Sequence, residues 1–240
     1  MIPKIIHYCW FGKGVMPELV ERCIASWKKH MSEWEYRLWT EENFDITTAP
    51  QYVQEAYRTK KYAFVSDYVR LWALEREGGL YMDVDFEVYK SFDDLMEQYD
   101  AFAGYEGSKR NPVMMGVIGA KAHHPWIQGM METYEDRRFV LSDGSVDMTP
   151  NTGYFLSWMQ ERGFVADGKE KDWMGVHILL VEYFCPGLTS GENLRCERTY
   201  CEHKGLHSWS IDGGWKTKVL NMFSRKWKTK IIRLKRKLFN

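Results

Sequence analysis

The 240-residue chain has five cysteines, an odd number, and no Cys-x-x-Cys pair. That scarcity argues against a disulfide framework or a zinc ribbon and for reduced thiols. Long apolar runs are also missing: no stretch approaches the length of a membrane span. The first apolar run, Ile5-Ile6, is too short for the apolar region of a signal peptide. A cytoplasmic protein is the expectation. Internal repeats and low-complexity segments are absent too. Acidic residues are lacking at one end only: ten Lys/Arg and no Asp/Glu follow from Lys216, so residues 1–215 carry 23 basic against 33 acidic side chains, net −10, beneath a formal charge of zero. The body is acidic and the tail basic.

What is present begins with enough apolar residues, 45%, to bury one large α/β core rather than two small ones. The organising stretch is Gly78-Gly79-Leu80-Tyr81-Met82-Asp83-Val84-Asp85. Two glycines supply the positive φ that ends a helix, and Leu80, Tyr81, Met82 and Val84 make the apolar run of a central strand. Alternation along a strand would point Asp83 and Asp85 the same way, their backbones about 6.6 Å apart. Hard carboxylate oxygens at that spacing suit Mg²⁺ or Mn²⁺, ions that keep positions open for water and substrate phosphates. Solvated acidic turns are common, so these residues alone are a weak signal.

Upstream, residues 4–8 read as a first strand, followed by the loop Cys9 to Gly14 with Trp10. Pro17 opens a helix to about Lys29, residues 35–39 form a second strand, and residues 50–58 a short helix. This β-α-β opening is that of a nucleotide-binding sheet. Residues 61–77 form the clearest helix, on which Asp67 and Arg70 are neighbours three apart. One reading is a surface ion pair worth a few tenths of a kcal/mol. The other places both in a cleft, Asp67 accepting from sugar hydroxyls and Arg70 holding hydroxyl or phosphate oxygens. Further strands are expected at 86–89, 101–105, 113–119, 176–183 and 198–202, and helices at 124–137 and 152–161.

Late in the chain, His203 could complete a metal site with Asp83 and Asp85, with His207 as competitor; a single loop histidine is more often simply exposed. The segment Trp215 to Phe239 sets Val219, Phe223, Trp227, Ile231, Leu234 and Leu238 in a stripe opposite Lys and Arg. A basic amphipathic helix of this kind lies on an anionic membrane surface. Packing on its own domain is the competing reading, and nucleic acid is not an expected partner. The expected division is therefore a catalytic domain over 1–212 and a basic helix over 213–240.

Together these residues resemble glycosyltransferase family 32, the Asp-x-Asp sugar transferases that include fungal outer-chain mannosyltransferases and bacterial capsular polysaccharide enzymes. The blocks that carry the likeness are Ile2-Pro3-Lys4-Ile5-Ile6-His7 with Trp10, Ala63 to Arg70 leading into the Gly78 to Asp85 stretch, and His203 with Ser208-Trp209. The likeness extends to about Trp209. It implies a GT-A-type single domain, a Rossmann-like mixed sheet flanked by helices. It implies a nucleotide-sugar donor, Mn²⁺ or Mg²⁺, and transfer with retention of configuration. Trp10 would line the donor-base pocket, Asp67 and Arg70 would bind the donor sugar and ribose, and Tyr81 would contact the nucleotide. Asp83, Asp85 and His203 would hold the metal, with Ser208 and Trp209 against the diphosphate. Where many relatives have a small residue this chain has His207, which leaves the choice of late histidine open.

Function on this reading is hexosyl transfer from a nucleotide-sugar, a UDP-sugar first and GDP-mannose second, to a glycan acceptor, lipid-linked or a capsule precursor, by an enzyme peripheral on the inner membrane face. The rivals are a toxin-like transferase that glycosylates a protein side chain, a non-catalytic membrane-surface adaptor, and a metal-dependent phosphohydrolase. The phosphohydrolase is the weakest, because no second acidic cluster lies near Asp83 and Asp85.

Overall fold

A computed structural model describes residues 1–107, 111–187 and 194–205. The expected helix 213–240 and the residues His207, Ser208 and Trp209 lie outside the described residues. The chain opens with β1 (Ile5–Cys9), α1 (Glu18–His30) and β2 (Glu35–Trp39), then α2 (Gln51–Arg58), α3 (Tyr62–Glu77), β3 (Gly79–Met82) and β4 (Phe86–Val88). It continues through α4 (Asp93–Gln98), β5 (Ala101–Tyr105), β6 (Val113–Ala120), α5 (Pro125–Glu132) and α6 (Asn151–Glu161). β7 (Lys171–Trp173), β8 (Val176–Leu179), α7 (Val181–Phe184) and β9 (Cys201–His203) follow.

Seven strands form one mixed sheet in the order β2-β1-β3-β6-β5-β8-β7, and β4 pairs with β9 in a separate ribbon. β1 runs parallel to both β2 and β3, while β6 is antiparallel to β3 and to β5. Helices cover both faces, as the α/β class requires. Alternation sorts the strand residues between two apolar layers: Tyr81, Ala103 and Ile118 face the layer that contains α2, α3, α5 and α6 residues. Leu80, Met82, Phe102 and Val117 face the layer built on Trp27 of α1 and on Phe92 and Phe184.

Position and spacing explain the elements around β3. In α1, Val20, Cys23 and Trp27 recur at helical spacing and are buried, with Glu18 and Glu21 in the first turn and Lys28, Lys29 and His30 in the last, complementing the helix dipole. α3 stops at Gly78, whose amide bonds the carbonyl of Leu74 at φ 64°. Gly79 follows at φ 114°, and a Cβ there would stand 2.7 Å from the carbonyl oxygen of Ile5. The double glycine thus both ends the helix and lets β3 enter beside β1. His7 closes the junction, its Nε2 2.8 Å from the Gly78 carbonyl and its Nδ1 accepting from Trp39 Nε1 at 3.2 Å. Burial lowers the His7 pKa, so the ring is neutral and Nε2 is the donor.

Four expectations shift. β3 ends at Met82, and Asp83 to Asp85 form a turn closed by the Phe86 amide on the Asp83 carbonyl at 3.2 Å, so the strand pitch does not set the spacing of the two acids. Residues 86–88 leave the main sheet to pair with β9. α5 stops at Glu132, short of Arg137, and the chain turns until Glu55 takes the amides of Phe139 and Val140. The strand expected over 176–183 ends at Leu179, where α7 begins.

Candidate active site

From β1 the chain crosses to β2 on one side and to β3 on the other, so the carboxyl ends of β1 and β3 diverge at a topological switch point. In open α/β sheets the crevice at such a point receives the ligand. The loop carrying Trp10 leaves β1 here, and the Asp83 to Asp85 turn leaves β3. Trp10 is half-buried and its Nε1 donates to the Gly14 carbonyl at 2.6 Å, folding the loop on itself.

Arg70 is the centre of the cluster. Its guanidinium is buried, with Nη2 2.7 Å from Asp67 Oδ1 and 3.2 Å from Asp83 Oδ1, and Nη1 donating to the Met115 carbonyl at 2.6 Å. It lies 4.7 Å from the ring centre of Tyr81, whose hydroxyl donates to the same Asp83 Oδ1 at 2.7 Å. Tyr81 lies on β3 and Asp83 in the turn that follows it, so the hydroxyl bond ties the turn back to the strand. Asp67 also accepts from Asn151 Nδ2 at 2.8 Å, at the start of α6. The Asp67–Arg70 pair is buried, which sets aside the surface-pair reading, and Arg70 also grips Asp83.

The other half of the site comes from β4 and β9. Phe86 stands opposite His203 in register, which brings His203 Nε2 to 3.1 Å from Asp85 Oδ2 across more than a hundred residues of sequence. The turn is anchored from three directions. Trp27 Nε1 donates to the Phe86 carbonyl at 2.7 Å, the Lys204 amide bonds the Asp85 carbonyl at 2.8 Å, and the Asp83 amide bonds the Gly116 carbonyl at 2.8 Å. A Cβ on Gly116 would lie 2.9 Å from Asp83 Oδ2 and 2.8 Å from the Phe86 ring, so only glycine fits there. Glu87 and Glu202 face each other on β4 and β9, and Lys204 Nζ offsets that repulsion at 2.7 and 3.1 Å.

Electrostatics set the site apart. Burial pushes Asp67 up to about 6, with Arg70 pulling down and Asp83 pushing further up. Burial also raises Asp83, against Arg70 and with the Asp85 charge adding to the rise. His203 is raised although burial opposes it, because the Asp85 hydrogen bond and the charges of Asp85, Asp83 and Glu106 outweigh that cost. Three interacting titratable groups in a crevice are the pattern of a functional site.

A divalent ion fits these residues in part. Asp85 Oδ2 and His203 Nε2, 3.1 Å apart, have the separation of adjacent ligands on an octahedral ion, about 3.0 Å for bonds near 2.1 Å. Asp83 Oδ1 is committed to Arg70 and Tyr81, and among the described residues no three His, Cys, Asp or Glu side chains stand together as a ready metal site. The donor chemistry suits an ion that takes its remaining ligands from a substrate, as Mg²⁺ and Mn²⁺ do.

Sequence alone does not single out Asn151, Gly116 or Lys204 as site residues. The family-32 resemblance reaches the stretches Asn111 to Gly116 and Asn151 to Gly153 only loosely, as an acceptor-side region, and nothing marks Lys204 beyond its place next to His203.

Fold and crevice define an α/β protein with a ligand crevice at the switch point of its mixed sheet. The chain belongs to the capsular polysaccharide synthesis protein family, which it matches over residues 1–139, and the family-32-like resemblance holds. It is 24% identical over 223 residues to the uncharacterized glycosyltransferase L373 of Acanthamoeba polyphaga mimivirus, covering 88% of this chain and 84% of that protein. It is 29% identical over 136 residues to inositol phosphoceramide mannosyltransferase 3 of Schizosaccharomyces pombe, a match covering 52% of this chain and only 35% of that protein. Among solved structures, a glycosyltransferase involved in glycosylation of the major capsid of PBCV-1 is similar at 11% identity, 84% and 93% coverage and a TM-score of 0.47. At that score the likeness carries no weight of its own.

Proposed function

We propose that this glycosyltransferase moves a hexose-type sugar from a nucleotide-sugar to a glycan acceptor carried on a lipid or destined for a capsule, with retention of configuration and with Mn²⁺ or Mg²⁺. The donor is a UDP-sugar in the first instance and GDP-mannose in the second, the latter favoured by the name of the fission-yeast relative. The observation that carries the reading is the placement of Arg70-held Asp83 beside the Asp85–His203 pair at the β1–β3 switch point.

Asp83, Asp85 and His203 would hold the ion, with His207 competing for the last place. Once bound there, the ion supplies Lewis-acid charge to the diphosphate leaving group. The protein's part is preorganisation. Tyr81 and Arg70 fix one oxygen of Asp83, and Lys204 and Trp27 fix the carbonyls of Asp85 and Phe86. Tyr81 acts through Asp83 as much as through the nucleotide. Asp67, steadied by Asn151, offers acceptors to sugar hydroxyls, Trp10 walls the base, and Ser208 and Trp209 complete the diphosphate side.

No described helix is long and apolar enough to cross a membrane. Membrane contact, on this reading, falls to Trp215 to Phe239, whose basic residues suit anionic lipid. Incubating the full chain with UDP-sugars or GDP-mannose and Mn²⁺, against lipid-linked oligosaccharide in one arm and lysate protein in the other, tests the reading. Transfer to the oligosaccharide supports it, and transfer to protein alone overturns it in favour of a toxin-like activity. Removing residues 215–240 should release the protein from anionic vesicles; equal partitioning of both forms would reject the anchor.

A further inference from the structure

Beyond Asp67 lies a guanidinium with no hydrogen bond. Nε, Nη1 and Nη2 of Arg137 are all buried and none has an acceptor. Its nearest carboxylate oxygen, Asp147 Oδ2, is 3.7 Å from Nη2 and already accepts from the Tyr154 hydroxyl at 2.7 Å. Three tyrosine rings surround it, with ring centres 4.3 Å (Tyr52), 4.9 Å (Tyr134) and 3.6 Å (Tyr154) from the guanidinium carbon. Cation–π attraction offsets part of the desolvation cost, yet five N–H donors left unmet in a buried place mark a missing acceptor. Tyr52 and Tyr134 are fully buried, whereas Tyr154 is half-buried and forms the outer wall. The cage adjoins the site: the Arg137 charge acts on Asp67, and Tyr154 stands in the first turn of α6 beside Asn151, which holds Asp67.

We infer that Arg137 is the floor of an oxyanion subsite beside Asp67, reached past Tyr154, that takes a carboxylate or phosphate group carried by the sugar substrate. The planar fork of the guanidinium matches either group with two parallel hydrogen bonds. The inference rests on the sugar-transfer reading only for the origin of that anion.

Titration calorimetry on the full chain without metal tests it, using glucuronate in one arm, glucose 6-phosphate in another and glucose as the neutral control. One or both acids should bind and glucose should not, and the arm that binds identifies the source of the anion. Arg137→Gln should weaken binding roughly tenfold or more, the loss expected for charge-assisted hydrogen bonds. Arg137→Lys, which keeps the charge but not the fork, should weaken it severalfold, and this variant decides the matter if the glutamine variant does not fold. Wild-type affinity in the lysine variant, glucose binding as well as the acids, or no binding of either acid would each overturn the subsite and leave Arg137 a packing cation. The calorimetry uses no donor, acceptor or metal, so a failure of the transfer reading shows in the wild-type transfer assay and leaves this result untouched.

Discussion

Glu55 on α2 and Asp67 on α3 stand twelve residues apart, both little exposed and both paired with an arginine, yet their surroundings drive them in opposite directions. Burial opposes ionisation of Glu55, but Arg138, the amides of Val140 and Phe139, and Gln51 hold it down at about 2. Asp67 is pushed up to about 6 by burial, and Arg70 offsets this only in part while it also grips Asp83. An acid with every lone pair met holds the fold together. An acid held short of partners keeps bonding capacity for a substrate, and that is where chemistry is expected. Glu55 fixes the path of residues 138–140, whereas Asp67, Asp83 and Asp85 leave the crevice charged.

Substitutions can break this contrast, and the largest effect is expected at the crevice. Asp85→Ala should lower kcat for sugar transfer by roughly 10³-fold, the scale of losing a preorganised charge partner, with Asp83→Ala nearly as severe and both melting close to wild type. Glu55→Gln should keep its kcat; equal losses at both places would erase the distinction. Next, Arg70→Met should destabilise the fold by about 3–5 kcal/mol in chemical denaturation, because it strands two carboxylates in a buried setting.

Stability then separates the two acids by sign. The folded pKa of Glu55 lies below its ordinary 4.5, so its contribution is present above about pH 4.5 and is lost as pH falls toward 2. Glu55→Gln should cost about 2 kcal/mol at pH 7 and flatten acid unfolding over that window. The folded pKa of Asp67 lies above its ordinary 3.8, so ionisation costs stability above about pH 6, and the cost disappears as pH falls toward 3.8. The stability of Asp67→Asn relative to wild type should therefore be higher at pH 8 than at pH 4, by up to about 3 kcal/mol, while KM for the donor rises. A lower relative stability at pH 8 than at pH 4 would show that Asp67, like Glu55, is structural.

The local parts of this picture are legible in the sequence. The Gly78-Gly79 stop, the acid pair after β3 and the neighbouring Asp67 and Arg70 all follow from residue type and short-range period. The turn at Asp83 reads as strand because Val84 continues the apolar run, although only the backbone path decides where pairing ends. The Asp85–His203 contact, the Asn151 bond to Asp67 and the Glu55 hold on residues 138–140 each join segments more than eighty residues apart. No period in the sequence encodes such pairings. They follow from which strand ends and helix starts the sheet brings together. Of the expected late block, Ser208, Trp209 and the competing His207 lie outside the described residues.

Thermal unfolding of wild type and Asp85→Ala, each with a UDP-sugar or GDP-mannose and with or without Mn²⁺, probes the central claim most directly. A ligand at a hundredfold excess over its dissociation constant adds about 2.7 kcal/mol to stability. The wild type should gain a shift of that order from one of the nucleotide-sugars only when Mn²⁺ is present, and Asp85→Ala should gain none. A shift of equal size without metal, or one retained in full by Asp85→Ala, would contradict a site built on these acids.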